Sequence, residues 1–207
     1  MQINFLKKAP DIITKSAIKV LTIITSIVLL VVVVIFIYCS RIHKIDNLSS
    51  LGLTKAYSAF ANGNQQLGTT ILDEVIAKYP KTPAAYQAKL FRADILTELQ
   101  SYNEALNILK ETKSKAKPEA IRPLALARII YIYDSKKDYF NAITALKEFI
   151  DKYPDHFLIR DIYLNLAEYY LATGFKNEAV KTFNEVLISF PATQEAEKAQ
   201  KRINEIK

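Results

Sequence analysis

The side chains in this chain that could do acid–base or ligand chemistry are few and scattered. Its 207 residues include two histidines, His43 and His156, and one cysteine, Cys39. A metal site needs three or four such ligands at close spacing, and these histidines stand too far apart to share one. A single cysteine excludes an intramolecular disulfide and leaves the redox compartment open. Gly52, Gly63, Gly68 and Gly174 occur singly, so no glycine-rich loop is available to cradle a phosphate. Carboxylates such as Asp94, Glu98 and Glu168 would, in facing pairs, supply the acid and base of a hydrolase. Without a pocket signature they read as solvated helix residues. The expectation is a protein with no catalytic, metal or cofactor-binding residues, whose work is binding.

Charge narrows the partner. The net charge is +7, from 28 basic and 21 acidic residues. Four lysines (Lys7, Lys8, Lys15, Lys19) and one aspartate (Asp11) fall in the first nineteen residues, so the remainder carries 24 against 20, a net of +4. That is an ordinary solvated surface. The one basic run, Lys110, Lys113, Lys115 and Lys117, ends a helical segment, where cations favour the helix dipole. No basic face with a recognisable module is present, so neither nucleic acid nor a small-molecule substrate is expected.

Residues 20–40 carry no charge and are nearly all Ile, Val, Leu or Phe. As a helix they span roughly 30 Å, the hydrocarbon thickness of a bilayer. A cleaved secretory signal has a shorter apolar run and a small-residue cleavage site, whereas Tyr38 and Arg41 stand where that site would fall. A lipoprotein signal needs a small residue before its cysteine, and Cys39 follows Tyr38. The reading is one transmembrane helix. Four basic residues precede it and two, Arg41 and Lys44, follow closely, which puts the N-terminus in the cytoplasm. In a bacterium the rest would be periplasmic, tethered to the inner membrane.

That remainder is repetitive. Ala179, Ala142, Ala105 and Gly68 are spaced by 37, as are Phe183, Leu146, Leu109 and Leu72, and Gly174, Lys137, Gln100 and Gly63. Pro191, Pro154 and Pro80 keep the same step, with Pro118 displaced by one. Several positions holding one period over four copies mark an internal repeat. In the last copy Tyr163, Leu166, Ala167 and Tyr170 form one apolar helix face, and Gly174 marks its end. Ala179, Phe183, Val186 and Leu187 form a second face, stopped by Pro191. Small residues at 167 and 179 suit a helix crossing, so each unit is a helical hairpin with Ala142 and Ala179 buried. After Pro191, Ala196, Ala199, Ile203 and Ile206 share a face in an otherwise charged helix, as the exposed end of a stack requires.

Leu166, Ala167, Tyr170, Ala179, Phe183 and Pro191 together resemble the tetratricopeptide repeat (TPR), with Tyr163 in place of its usual tryptophan. The period is longer than the family's value of about 34. Ile130 stands where the third copy should be small, Arg92 where the second should have leucine, and the first copy is degraded before Phe60. The resemblance implies an all-α, right-handed TPR-like superhelix with no sheet. Its expected layout is a cytoplasmic tail (1–19), the transmembrane helix (20–40), a linker (41–47), four hairpins (48–191) and a capping helix (192–207).

Family geometry lines the inner groove with first-helix residues. By register these are Leu53, Tyr57 and Phe60, then Leu90, Asp94 and Glu98, then Tyr131 and Asp134, then Leu164, Glu168 and Leu171. Phe60 and Leu164 equally suit packing between repeats. The mixture suits extended polypeptide segments with apolar and basic side chains. The asparagine and lysine that clamp a C-terminal carboxylate in chaperone-binding members are missing. The overall layout resembles the membrane-anchored periplasmic ancillary subunit of the bacterial Sec translocon, which implies handling of emerging envelope proteins. The alternative is a scaffold in outer-membrane assembly or envelope division.

Overall fold

The structure, a computed structural model, describes residues 5–206, with side chains from residue 17 onward. Residues 1–4 and 207, and the side chains of Lys7, Lys8, Asp11 and Lys15, lie outside the described residues. Within them the chain forms nine α-helices and no strand: α1 (Phe5–Ala61), α2 (Gln65–Lys78), α3 (Pro83–Glu98), α4 (Tyr102–Lys115), α5 (Ile121–Ser135), α6 (Tyr139–Lys152), α7 (Ile159–Ala172), α8 (Lys176–Ser189) and α9 (Gln194–Ile206). Two compact units are present, Met1–Leu48 and Ser49–Lys207.

In the first unit, α1 is long and apolar enough to cross a membrane, and nothing in its most apolar window is buried. Large apolar side chains from Ile18 to Tyr38 are 48–73% exposed. The few hydroxyls turn back onto the helix: Thr22 donates to the Lys19 carbonyl at 2.8 Å, and Thr25 and Ser26 donate to the Thr22 carbonyl at 2.9 and 2.8 Å. These three hydroxyls are thereby satisfied within the helix. Residues 41–47, expected as a linker, continue α1. No glycine or proline stands between Cys39 and Gly52 to interrupt it.

The second unit is a stack of helical hairpins, and its period of 37 is visible in backbone hydrogen bonds. At each hairpin turn one residue adopts a left-handed conformation: Gly63 (φ 76°), Gln100 (58°), Lys137 (55°) and Gly174 (84°). The next N–H reaches back to close the odd helix: Asn64 to the Ala59 carbonyl, Ser101 to Leu96, Asp138 to Tyr133 and Phe175 to Tyr170, at 2.8–2.9 Å. With the partner bonds Gly63 to Phe60, Gln100 to Thr97, Lys137 to Asp134 and Gly174 to Leu171, this is the Schellman closure four times over. Asn64 and Asp138 then cap the even helices, accepting from Leu67 at 3.1 Å and Asn141 at 3.3 Å.

Even helices end on Tyr79, Tyr153 and Phe190 in nearly the same conformation, each directly before its proline. Ala116 ends α4 at φ −59°, ψ 140° instead. There the proline is displaced to 118, so this one junction takes a different path. Thr82 and Thr193 cap α3 and α9, each accepting at 3.2 Å from an N–H three residues on. His156 occupies the corresponding position before α7, its Nδ1 accepting from Leu158 N–H at 3.3 Å.

The core follows the same step. Leu72, Leu109, Leu146 and Phe183 are fully buried, as are Ala105, Ala142 and Ala179 where the helices of a hairpin cross. Gly68 holds the equivalent place in the first hairpin because Phe60 fills it: a Cβ there would sit 2.6–2.8 Å from the ring. Ile130, out of pattern, is nonetheless buried among Ile129, Ile132 and Ile143. Arg92 turns outward to Asp73, Nε to Oδ1 at 3.0 Å. Separate clusters centred on α2–α3, α3–α7 and α7–α9 make the stack quasi-one-dimensional, each hairpin resting on its neighbours.

Candidate protein-binding face

α3 packs directly on α5, and α7 on α9. Even helices of successive hairpins are linked by long side chains such as Lys113 and Glu148. The odd helices therefore crowd the inside of the curve, and the face they present is the inner one.

Two columns of residues run along that face. One holds Phe91, Arg128, Asn165 and Arg202; the other holds Tyr57, Asp94, Tyr131 and Glu168; each steps by 37. Because residues three apart share a helix face, a residue of the second column meets the residue 34 positions later, in the next hairpin. Tyr57 meets Phe91, with ring centroids 5.4 Å apart. Asp94 accepts from one edge of the Arg128 guanidinium, Nε and Nη2, at 2.7 and 3.0 Å. Glu168 holds Arg202 in the same manner, at 2.7 and 2.8 Å. The remaining rung, Tyr131 and Asn165, is open: among the described residues no side-chain hydrogen bond or ring contact joins them. Tyr131 is 61% exposed. α5 and α7 are instead tied at one end, where the Tyr169 hydroxyl donates to the Asp134 carboxylate, and Tyr139 of α6 packs on the same Tyr169 ring at 5.3 Å.

These partners set the ionisation of the face. Burial raises the Tyr57 phenol, with Arg128 opposing and Asp94 reinforcing the shift. Burial also raises Tyr169, and the hydrogen bond to the Asp134 carboxylate drives it further. Hydrogen bonds to Glu168 and then Glu205 hold Arg202 firmly protonated.

The expected groove residues divide accordingly. Leu53 and Leu90 are buried at 6% and 5% and belong to the core. Phe60 packs edge-on against Phe91 at 4.7 Å. Leu164 and Leu171 are half-buried against the last cluster. Asp94 and Glu168 are not the solvated carboxylates the sequence suggested, since each is engaged by an arginine, and Asp134 is engaged by Tyr169. Glu98 and Tyr131 remain exposed.

A cleft of about 510 Å³ brings Asp94, Glu98, Arg128 and Tyr131 together, with Thr97 and Tyr102 in its walls. A second, of about 310 Å³, adjoins it across Glu98 and is lined by Phe60, Phe91, Ile95 and Leu99. Arg128, Arg202 and Phe91 were missed from sequence. The signal was available, since opposite charges 34 apart stand one helical turn short of the period. Among the described residues no three of His, Cys, Asp and Glu converge as a metal site.

Hairpins stacked with this period, turn and inner face define a helical-repeat solenoid. The profile of the Tetratricopeptide repeat-like domain matches residues 19–204, and the chain belongs to that family. The fold is similar to a tetratricopeptide repeat protein from Parabacteroides merdae (TM-score 0.60, 15% identity, 73% of this chain and 57% of that one). It is also similar to MamA from Desulfovibrio magneticus (0.54, 13%, 76% and 92%) and to the TPR-like repeats of a putative kinesin light chain from Podosopora anserina (0.55, 19%, 78% and 90%). In sequence, 151 residues are 25% identical to mouse Aspartyl/asparaginyl beta-hydroxylase, over 70% of this chain and 20% of that protein. The chain thus spans only a fifth of that enzyme, and little more than half of the Parabacteroides protein.

Proposed function

We propose that this protein is a non-enzymatic, membrane-anchored scaffold whose inner face holds extended segments of partner polypeptides. α1 crosses a bacterial inner membrane once, with the N-terminus cytoplasmic and the hairpins in the periplasm. There the protein attends secreted or envelope proteins near the translocon.

The observation that carries the binding role is the open rung. Tyr131 stands exposed on a rigid helix at a cleft where Asp94 and Arg128 are already paired with each other, and preorganised aromatic side chains of this kind dominate binding energy. The anchoring role is supported by an apolar helix segment with nothing packed on it. Its orientation rests on the excess of lysines before the span.

The test is a photo-crosslinking residue at position 131 in cells, followed by copurification in mild detergent. Capture of translocon subunits or nascent envelope proteins is expected. Capture of outer-membrane assembly or division proteins would replace the translocon assignment, and no adduct at all would remove the groove. Protease added to spheroplasts should digest the hairpins without lysis; digestion only after lysis overturns the orientation.

A further inference from the structure

Glu98 is the one charged side chain lining the two adjoining clefts that has no ionic partner among the described residues. Asp94 and Arg128 neutralise each other at 2.7 Å, and Arg92 is held by Asp73 at 3.0 Å. Lys136 lines a third cleft, which meets the first at Gln100 and Tyr102 and also contains Glu104, so it adds no net charge. The clefts therefore present one unbalanced negative charge. It is flanked on one side by the exposed Tyr131 ring and on the other by the Phe60, Phe91 and Leu99 surface, with Leu99 68% exposed. The inner face has the same sign further along, because Arg128 is matched by Asp94 while Arg202 is shared by two carboxylates, Glu168 and Glu205. This acidic strip belongs to a chain whose net charge is +7.

We propose that the clefts on either side of Glu98 receive an extended segment in which a lysine or arginine neighbours a large apolar residue. The cation sits between the Glu98 carboxylate and the face of Tyr131, where ring and carboxylate attract it together. The apolar neighbour enters the adjoining cleft against Phe60 and Phe91. Selection is by charge: an acidic residue in the same place would face Glu98, and neither arginine lining these two clefts is free to receive it, while like-charge juxtaposition is what rejects wrong partners. The inference rests on the groove reading above and adds the chemistry of its ligand.

Fluorescence anisotropy of the full chain in a non-ionic detergent tests it, with three short synthetic peptides as probes. One alternates leucine with lysine, one leucine with glutamate, one serine with lysine. The leucine–lysine peptide should bind tightest, and Glu98→Gln should weaken it by about fivefold while leaving thermal stability unchanged. Equal binding of the leucine–glutamate peptide, or no effect of Glu98→Gln, overturns the charge selection. Tyr131→Ala separates the two levels. If it abolishes binding of both leucine peptides equally, the groove stands and the cation preference fails; if binding survives it unchanged, the groove itself fails. A self-associated species that the leucine–lysine peptide cannot disperse would assign the clefts to a second copy of the chain and overturn the proposal.

Discussion

Arg202 of α9 grips Glu168 of α7 at 2.7 and 2.8 Å, repeating two hairpins further on the bond between Arg128 and Asp94. The last helix is thus held by the same device that joins α3 to α5, and it stands in the stack as the first helix of a further hairpin. Arg202→Ala should loosen it. Both side chains are a little over one-third exposed, so the loss is about 0.5–1 kcal/mol, the upper range for surface pairs because the contact is bidentate. For a domain of this size that lowers Tm by about 2–4 °C. A double-mutant cycle with Glu168→Gln should show coupling; strict additivity would mean that the pair contributes nothing.

The hairpin turns give a prediction of opposite sign at equivalent positions. Gly174 and Lys137 occupy the same left-handed conformation, at φ 84° and 55°. That conformation costs an L-residue about 1–2 kcal/mol relative to glycine. Gly174→Ala should therefore destabilise by about 1 kcal/mol, and Lys137→Gly should stabilise by about 0.5–1 kcal/mol, part of its gain being lost to glycine's freedom in the unfolded chain. Chemical denaturation of the two variants checks both signs.

Ala179 is fully buried at its crossing, against Ala167, Phe183 and Val186. Ala179→Leu has no room to enlarge and should cost about 1–3 kcal/mol. Unchanged thermal stability would contradict the crossing.

His156 makes the fold sensitive to pH. Its ring lies 4.3 Å from Phe157 and 5.4 Å from Phe149, and burial holds its pKa below the ordinary 6.5. Folding therefore favours the neutral ring, whose Nδ1 accepts the Leu158 N–H. The associated stability is present above the unfolded-state pKa and is lost as pH falls from there through the lower folded-state value, when the ring must protonate. Thermal scans from about pH 7.5 to 5.5 should show falling stability. His156→Gln should flatten that slope, and an unchanged slope would exclude the residue.

The hairpins were legible in sequence because identical duties recur at identical spacing: Ala179 and Ala142 must be small, and Gly174 must turn. The ionic ladder was not, because its partners lie in different columns. Asp94 finds Arg128 only once the phase of one hairpin against the next is known, and no single helix pattern encodes that phase. Leu90 was misplaced for the same reason, since a small rotation separates the groove from the core. Residues 41–47 read as a linker on polarity, yet helix continuity depends on the absence of breakers. Gly68 kept the repeat's step in sequence, but the reason it must be glycine, the Phe60 ring, lies in the hairpin packing.

The basic run at 110–117 supplies the last prediction. Lys113 donates to both oxygens of Glu148 at 2.8 and 2.7 Å, Lys152 donates to the same carboxylate at 2.8 Å, and Lys115 pairs with Glu111 at 3.8 Å. Burial alone would raise the Glu148 carboxyl, but the two lysine hydrogen bonds outweigh it and hold it below the usual range. Lys113 is thus a strut between α4 and α6 on the outer side of the stack. Lys113→Ala should cost about 1 kcal/mol at neutral pH. Because the Glu148 pKa is depressed in the fold, that contribution is present above its unfolded value and disappears as pH falls through the folded one. Wild type and variant should therefore converge in stability only as pH falls below the ordinary carboxylate range, where Glu148 protonates in the fold as well. Partner capture through position 131 should be unaffected by Lys113→Ala combined with Lys115→Ala, beyond a changed salt dependence, since exposed charges are screened within about 8 Å at physiological ionic strength. Loss of capture in that double variant would move the working surface to the outer helices.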